Sequence, residues 1–456
     1  MRITTKQIFL IAGTLAFILT LLIKGESDMW KATALGGLIV FLWLVEALPI
    51  YVTAMLPLAL AVPMELLTPE QVAGAYANKF VFLFLGGFLL ALAMEKWGVH
   101  KQIARSIISF VGNSKTRILL GFIISTGLLS MWISNTATTL MMLPMATAVV
   151  GNIKSESNSK FPLFLLLAIA YSASIGGMAT LVGSPPNSVM AGVLSDNYGI
   201  EITFLDWMKY GLPLAIILLT VLFFFFVIRL KGERKGDSIN LDIEKKPWSS
   251  DQIKIILLFL VVVILWSFRK LLIEWTGISY GDENVAIIAA IIMFLMPSSD
   301  GSPILVWKDT NKLAWGILIL FGGGLALAKM LEVNGVIVEI AALFDGFNNL
   351  HIMLLLLVVV SISIFGTEIM SNTALVTVFV PIIAVFCTKA GIPLETLCFP
   401  VALAASCAFM LPVGTPPNAI VFSSGQVTIR QMARTGFILN VVSVFIVVAF
   451  AMLFIR

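Results

Sequence analysis

A chain of 456 residues that is 59% hydrophobic and only 12% charged, with a mean hydropathy of +1.03, departs far from a soluble domain, in which about a quarter of residues are charged. Its net charge of +4 is small and spread over many loops, which leaves nucleic-acid binding without support. Cys387, Cys398 and Cys407 and the two histidines, His100 and His351, lack the spacing of a metal or redox centre, so the cysteines read as helix-packing thiols and no enzyme chemistry is expected.

A membrane-spanning helix takes roughly 20 apolar residues, and the sequence supplies such stretches almost end to end. The first covers residues 7 to 23. Arg2 and Lys6 precede it as in a signal peptide, but no small-x-small cleavage site follows Ile23 and Lys24-Gly25-Glu26-Ser27-Asp28 makes an exit loop, so it reads as the first membrane helix. Segments 33 to 48, 51 to 63 and 80 to 95 follow. Residues 97 to 111 then place Trp97, Val99, Ile103, Ile107 and Phe110 at helical spacing with His100, Lys101 and Arg105 between them, which predicts an amphipathic helix at the cytoplasmic interface. A weaker counterpart is expected at 336 to 344.

The next segments, 117 to 150 and 161 to 195, are too long for one crossing and are interrupted. After 207 to 229 and a charged loop from Lys231 to Lys246 come 253 to 273, 284 to 297 and 314 to 331; the long pair then recurs at 350 to 386 and 393 to 424, before a last segment at 435 to 455. Segments 117 to 150 and 350 to 386 are each cut by a polar Ser-Asn-Thr tip, the pattern of a re-entrant hairpin whose tip is buried in protein or lines a cavity. The other pair carries a mid-segment Pro-Pro, which removes backbone donors and must unwind a helix.

With both hairpins entering and leaving on the same side, eleven crossings result and the termini face opposite sides. An N-terminus inside places 20 of the 29 Lys and Arg in cytoplasmic loops or ends, as the positive-inside rule requires. The expected location is a bacterial inner membrane, with the C-terminus outside.

The two halves repeat. Phe84-Leu85-Gly86-Gly87 matches Leu320-Phe321-Gly322-Gly323; Ser134-Asn135-Thr136 matches Ser371-Asn372-Thr373, each with a proline ten residues after its serine; and Gly183-Ser184-Pro185-Pro186-Asn187 matches Gly414-Thr415-Pro416-Pro417-Asn418, at offsets of 236, 237 and 231 residues. On the topology above, the first hairpin opens from inside and the second from outside, making the repeats inverted, with helix breaks that point to a midplane site. The glycine pairs at 86 to 87 and 322 to 324 read instead as close helix packing.

The fold class expected is therefore an all-α polytopic membrane protein of about eleven transmembrane helices plus two re-entrant hairpins. Each tip offers two hydroxyls and an amide, and each break adds backbone amides at the start of a half-helix, groups that suit a carboxylate. Carbonyls exposed at the ends of the preceding half-helices suit sodium. No Lys or Arg lies in any tip or break, so helix ends and bound cations must balance an anion. Polar residues concentrated at four breaks argue against a channel, which needs a continuous polar lining. Of the two acids within apolar stretches, Glu46 reads as a structural helix-end residue, whereas Glu368, three residues before Ser371, has three roles open to it: cation ligand, titrating group, or brace for the hairpin.

At these motifs the chain resembles the divalent anion/sodium symporter family of di- and tricarboxylate transporters. The run Ala405-Ser406-Cys407-Ala408-Phe409-Met410-Leu411-Pro412-Val413-Gly414-Thr415-Pro416-Pro417-Asn418-Ala419-Ile420-Val421 fits the family signature throughout, and the paired Ser-Asn-Thr tips are its other hallmark. The resemblance implies a homodimer with an elevator mechanism: a scaffold at 1–115 and 247–349, and a transport domain at 116–246, with hairpin 117–150, and 350–456, with hairpin 350–386. It implies one sodium at Ser130, Ser134, Asn135 and Gly183, and a second at Thr367, Met370 (by its carbonyl), Ser371, Asn372 and Gly414. Substrate carboxylates would meet Ser134, Asn135, Thr136, Ser184, Asn372, Thr373, Thr415 and Pro416. The substrates implied run from C4 dicarboxylates through 2-oxoglutarate to citrate and sulfate, moved by sodium symport or by exchange; small hydroxyl residues without a basic partner favour a C4 dicarboxylate.

Overall fold

The computed structural model describes residues 4–112, 114–151, 160–230, 247–342 and 350–455. These are all-helical apart from connections and one isolated bridge between Pro297 and Pro303. The charged loop expected from Lys231 to Lys246 and the end of the 336 to 344 segment lie outside the described residues.

Helix α1 (Thr5–Lys24) starts on a capping box between Thr4 and Gln7, packs on α2 (Asp28–Val45) with Phe9 edge-on to Phe41, and buries only Gly13. The expected 51 to 63 segment is two short helices, α3 (Ile50–Thr53) and α4 (Leu56–Leu60), because Pro57 opens a new first turn. Helix α5 (Pro69–Tyr76), absent from the apolar reading, is set by Thr68 capping Gln71 and by Pro69 at its first position. Then come α6 (Lys79–Lys96) and α7 (Val99–Val111).

Helix α7 is the expected amphipathic element, but it buries Val99, His100, Gln102, Ala104 and Ile108 and leaves Phe110 91% exposed. Gly121 on the next helix lets the Ile108 backbone approach, with a Cβ there meeting Ile108 Cα at 3.3 Å. That close contact, rather than the apolar spacing, decides which face of α7 turns inward.

The interrupted segments are pairs: α8 (Lys115–Ser130) with α9 (Asn135–Gly151), and α10 (Phe161–Gly177) with α11 (Pro185–Tyr198). Helix α12 (Phe204–Leu230) precedes α13 (Ser250–Ser267), α14 (Arg269–Thr276), α15 (Asp282–Leu295), a 3-10 turn at Trp307–Lys312, α16 (Trp315–Val333) and α17 (Val336–Ala342). The pairs recur as α18 (Ile352–Gly366) with α19 (Asn372–Ala390) and α20 (Leu394–Ala404) with α21 (Pro416–Ser423), followed by α22 (Ile429–Phe454). Among the described residues eight helical stretches are long and apolar enough to cross a membrane; shorter apolar helices include α10, α18 and α20.

Glycines set the closest approaches. A Cβ on Gly86 of α6 would lie 2.6 Å from the Ala286 carbonyl carbon of α15, one on Gly324 of α16 would lie 2.8 Å from Thr377, and one on Gly176 of α10 would collide with the Gly127 carbonyl of α8. The glycine pairs thus act in helix packing, as their spacing implies. Buried apolar residues form one large core and a second, smaller one, which runs from Ala32 to Val72 and from Leu320 to Val336 and includes Ala374.

Candidate functional site

The first residues of four helices, Asn135 of α9, Pro185 of α11, Asn372 of α19 and Pro416 of α21, line one cavity of about 440 Å3. Four N-termini aimed at one space carry four partial positive charges, enough to receive an anion without a Lys or Arg. Ser134, Asn135, Thr136, Gly183, Ser184, Ser371, Asn372, Thr373, Gly414, Thr415 and Pro416 all line it, so every substrate-contacting residue expected from the sequence is brought together. Helix α9 packs against α21 and α11 against α19, interleaving the two halves.

The breaks are built alike. Ser184 and Thr415, the residues ahead of the Pro-Pro pairs, have φ, ψ of −143°, 132° and −142°, 148°. Asn187 Nδ2 donates to the carbonyls of Gly177 at 3.0 Å and Thr180 at 2.7 Å, and Asn418 Nδ2 donates to Ala408 at 3.1 Å and Leu411 at 3.0 Å. Each asparagine thus reaches back ten and seven residues to close its break, a role not assigned from the sequence.

One expectation changes. Pro-Pro occupies the first two positions of α11 and α21, where a helix has unpartnered N–H groups, and proline has none to offer. The breaks therefore supply the Ser184 and Thr415 hydroxyls and a helix dipole, while first-turn amide donors come mainly from the tips.

Beside each tip lies a cluster of oxygens. Ser130 Oγ is 2.7 Å from both Asn135 Oδ1 and the Ala173 carbonyl, and Thr367 Oγ1 is 2.5 Å from Asn372 Oδ1 and 3.1 Å from the Ala405 carbonyl. A hydroxyl has one proton, so in each cluster two acceptors compete for it and oxygen lone pairs are in excess. Such a donor set fits a hard cation, whose preferred ligands are oxygens. Around Gly183 two further carbonyls close in: a Cβ there would lie 2.6 Å from Gly177 O and 3.0 Å from Met131 O. Of the cation ligands implied by the resemblance, Ser130 with Asn135 and Thr367 with Asn372 are joined directly. Ser134 caps α9, its Oγ accepting from the Ala137 N–H at 3.3 Å, the Ser371 carbonyl accepts from Leu375 within α19, and Met370 packs between the two apolar cores.

Glu368 takes the bracing position. Its carboxylate is 3% exposed and accepts from the backbone N–H groups of Phe409 (2.7 Å), Met410 (2.8 Å) and Leu411 (2.9 Å) and from Asn440 Nδ2 (2.7 Å). It pins the second break to the second tip. In the first half Thr180 Oγ1, donating to Met131 O and accepting from the Gly183 N–H, makes the equivalent tie. Asn440, an amide inside the apolar stretch of α22, is the signal in the sequence for this brace. Glu46, read as a structural helix end, does end α2, yet it also lines the cavity.

The model of the sodium:sulfate symporter transmembrane region matches residues 5–456. The chain is 39% identical to the sodium-dependent dicarboxylate transporter SdcS of Staphylococcus saprophyticus, over 96% of this chain and 89% of that protein, and 38% identical to SdcS of Staphylococcus aureus (strain MRSA252), over 98% and 90%. In fold it is similar to the Alcanivorax borkumensis YdaH transporter, with a TM-score of 0.62 at 12% identity over 84% of this chain and 87% of that one. It is likewise similar to Neisseria gonorrhoeae MtrF, with a TM-score of 0.57 at 12% identity over 87% and 84%. From the paired tips and breaks and from these matches along almost its whole length, the chain belongs to the sodium:sulfate symporter family, the divalent anion/sodium symporters, and is a transporter rather than an enzyme.

Proposed function

We propose that this protein is a secondary active transporter that carries C4 dicarboxylates, such as succinate, malate and fumarate, together with sodium. The observation that carries the reading is the convergence of four helix N-termini on one cavity flanked by two oxygen clusters, Ser130–Asn135–Ala173 and Thr367–Asn372–Ala405. Each hydroxyl is shared between a tip amide that faces the substrate and a carbonyl that faces the cation. A sodium ion bound there orients Asn135 or Asn372 and leaves the amide nitrogen and the neighbouring Thr136 or Thr373 to the substrate carboxylate. Anion and cation so placed neutralise each other's charge, and neither crosses cheaply alone. The names of the staphylococcal relatives support both the dicarboxylate and the sodium.

Transport follows by an elevator. The cavity takes Glu46, Ile50, Tyr51, Phe88, Ile317 and Leu320 from 1–115 and 247–349 and its remaining lining from 116–246 and 350–456. That division supports a fixed scaffold and a mobile transport domain, and the smaller apolar core, drawn almost wholly from the scaffold stretches, supports it too. Eleven crossings with inverted repeats, the N-terminus in the cytoplasm, and a homodimer complete the proposal.

Radiolabelled uptake into proteoliposomes tests the coupling. Symport predicts succinate accumulation driven by an inward sodium gradient into empty vesicles. Uptake that requires internal dicarboxylate and ignores the gradient contradicts symport and establishes an exchanger; uptake of citrate or 2-oxoglutarate in preference to succinate contradicts the C4 assignment.

A further inference from the structure

Among the described residues, Glu46 is the one charged residue lining the cavity. It ends α2 in the left-handed region, at φ 46° and ψ 38°, a conformation that costs a glutamate free energy and that recurs at sites where a side chain must be aimed. The side chain is exposed, and among the described residues no hydrogen bond or ion pair compensates its carboxylate. The opposing lining presents hydroxyls, amides and helix N-termini built for anions. A negative group facing an anion site is unfavourable for every substrate, so a strained backbone that holds it there calls for a reason.

We propose that Glu46 is a specificity-determining residue that sets the charge of the accepted anion, excluding tricarboxylate trianions more strongly than dicarboxylate dianions. This rests on the anion-transport reading above. Repulsion grows with each unit of substrate charge; the third carboxylate of a trianion finds no cationic side chain on the lining and meets Glu46 from the scaffold wall. Because the scaffold carries it, the substrate escapes this field as the transport domain moves away.

The test measures how citrate and succinate each inhibit labelled succinate uptake by the wild type, Glu46→Gln, Glu46→Asn and Glu46→Asp, at low and high ionic strength. Asparagine tolerates the left-handed backbone and keeps folding separable from charge. The two neutral variants should shift the inhibition ratio toward citrate by about tenfold at low salt, the scale of one charge acting across such a cavity at an effective dielectric near 20. Glu46→Asp should stay near the wild type, and high salt should shrink the shift. Calorimetric binding of both anions to purified protein scores any variant that binds without transporting. An unchanged ratio in both neutral variants, or a shift indifferent to salt, overturns the proposal. Wild-type succinate uptake and binding in the same series report on the transport reading itself: their absence refutes that reading, whereas their presence with an unmoved ratio refutes only the role of Glu46.

Discussion

Asn440 donates from Nδ2 to Glu368 Oε1 at 2.7 Å, joining α22 to the second hairpin tip across 72 residues of sequence. The same oxygen accepts the N–H groups of Phe409 and Met410, so a single carboxylate organises tip, break and the final helix. Glu368→Gln would point an amide at donors that now meet an acceptor. Hydrogen bonds to a charged group contribute about 1.5–3 kcal/mol each, so this variant should melt well below the wild type in detergent and bind neither sodium nor succinate. Asn440→Ala, which removes one of these donors, should lose about 1.5–3 kcal/mol and keep measurable binding; wild-type melting of Glu368→Gln would contradict the bracing role.

In the proposed mechanism the hydroxyls of Ser130 and Thr367, each bonded to a tip asparagine and a backbone carbonyl, serve the cation sites. Ser130→Ala and Thr367→Ala should each raise the sodium concentration for half-maximal uptake by roughly tenfold, the loss expected for one hydrogen-bond-strength ligand. Thr367→Ser, which keeps the oxygen, should remain close to the wild type. Sodium titrations at saturating succinate read the difference, and an unaltered midpoint in both alanine variants would remove these oxygens from the cation sites.

Gly177 lies directly under the tip amide, and a Cβ there would collide with the Asn135 side chain. Gly177→Ala should therefore cut sodium-driven uptake at least about tenfold by moving Asn135 off its partners. Gly37→Ala and Gly74→Ala, where a Cβ meets nothing within 4 Å, serve as controls and should transport normally.

Gly86 has a different role. A Cβ there would press on the Ala286 backbone of α15, an overpacking that costs about 1–3 kcal/mol. Gly86→Ala should lower the melting temperature while leaving the sodium midpoint in place. A change in sodium affinity with unchanged melting would reassign Gly86 from packing to the site.

Periodicity and punctuation made the long elements legible. The polar tips at Ser134 and Ser371 and the Pro-Pro pairs appear in the sequence as interruptions of apolar runs, and they begin α9, α19, α11 and α21 as expected. What the sequence hid are groups with no residue-type signature. The carbonyls of Ala173 and Ala405 enter the oxygen clusters through backbone position alone. Helix α7 turned its His100 face inward because Gly121, in another helix, permits the approach. Glu46 looked like an end-of-helix residue because it is one, and the packing of α2 against α19, which starts at the second tip, brings it to the cavity.

In the proposed mechanism two matched tips, each tied to its own break, build one anion site together. Sodium-driven succinate uptake by Asn135→Ala and Asn372→Ala, reconstituted separately, distinguishes this paired site from a site built by one half alone. Both variants should lose uptake, since each half supplies a tip that the other cannot replace; full activity in either one would contradict the paired site.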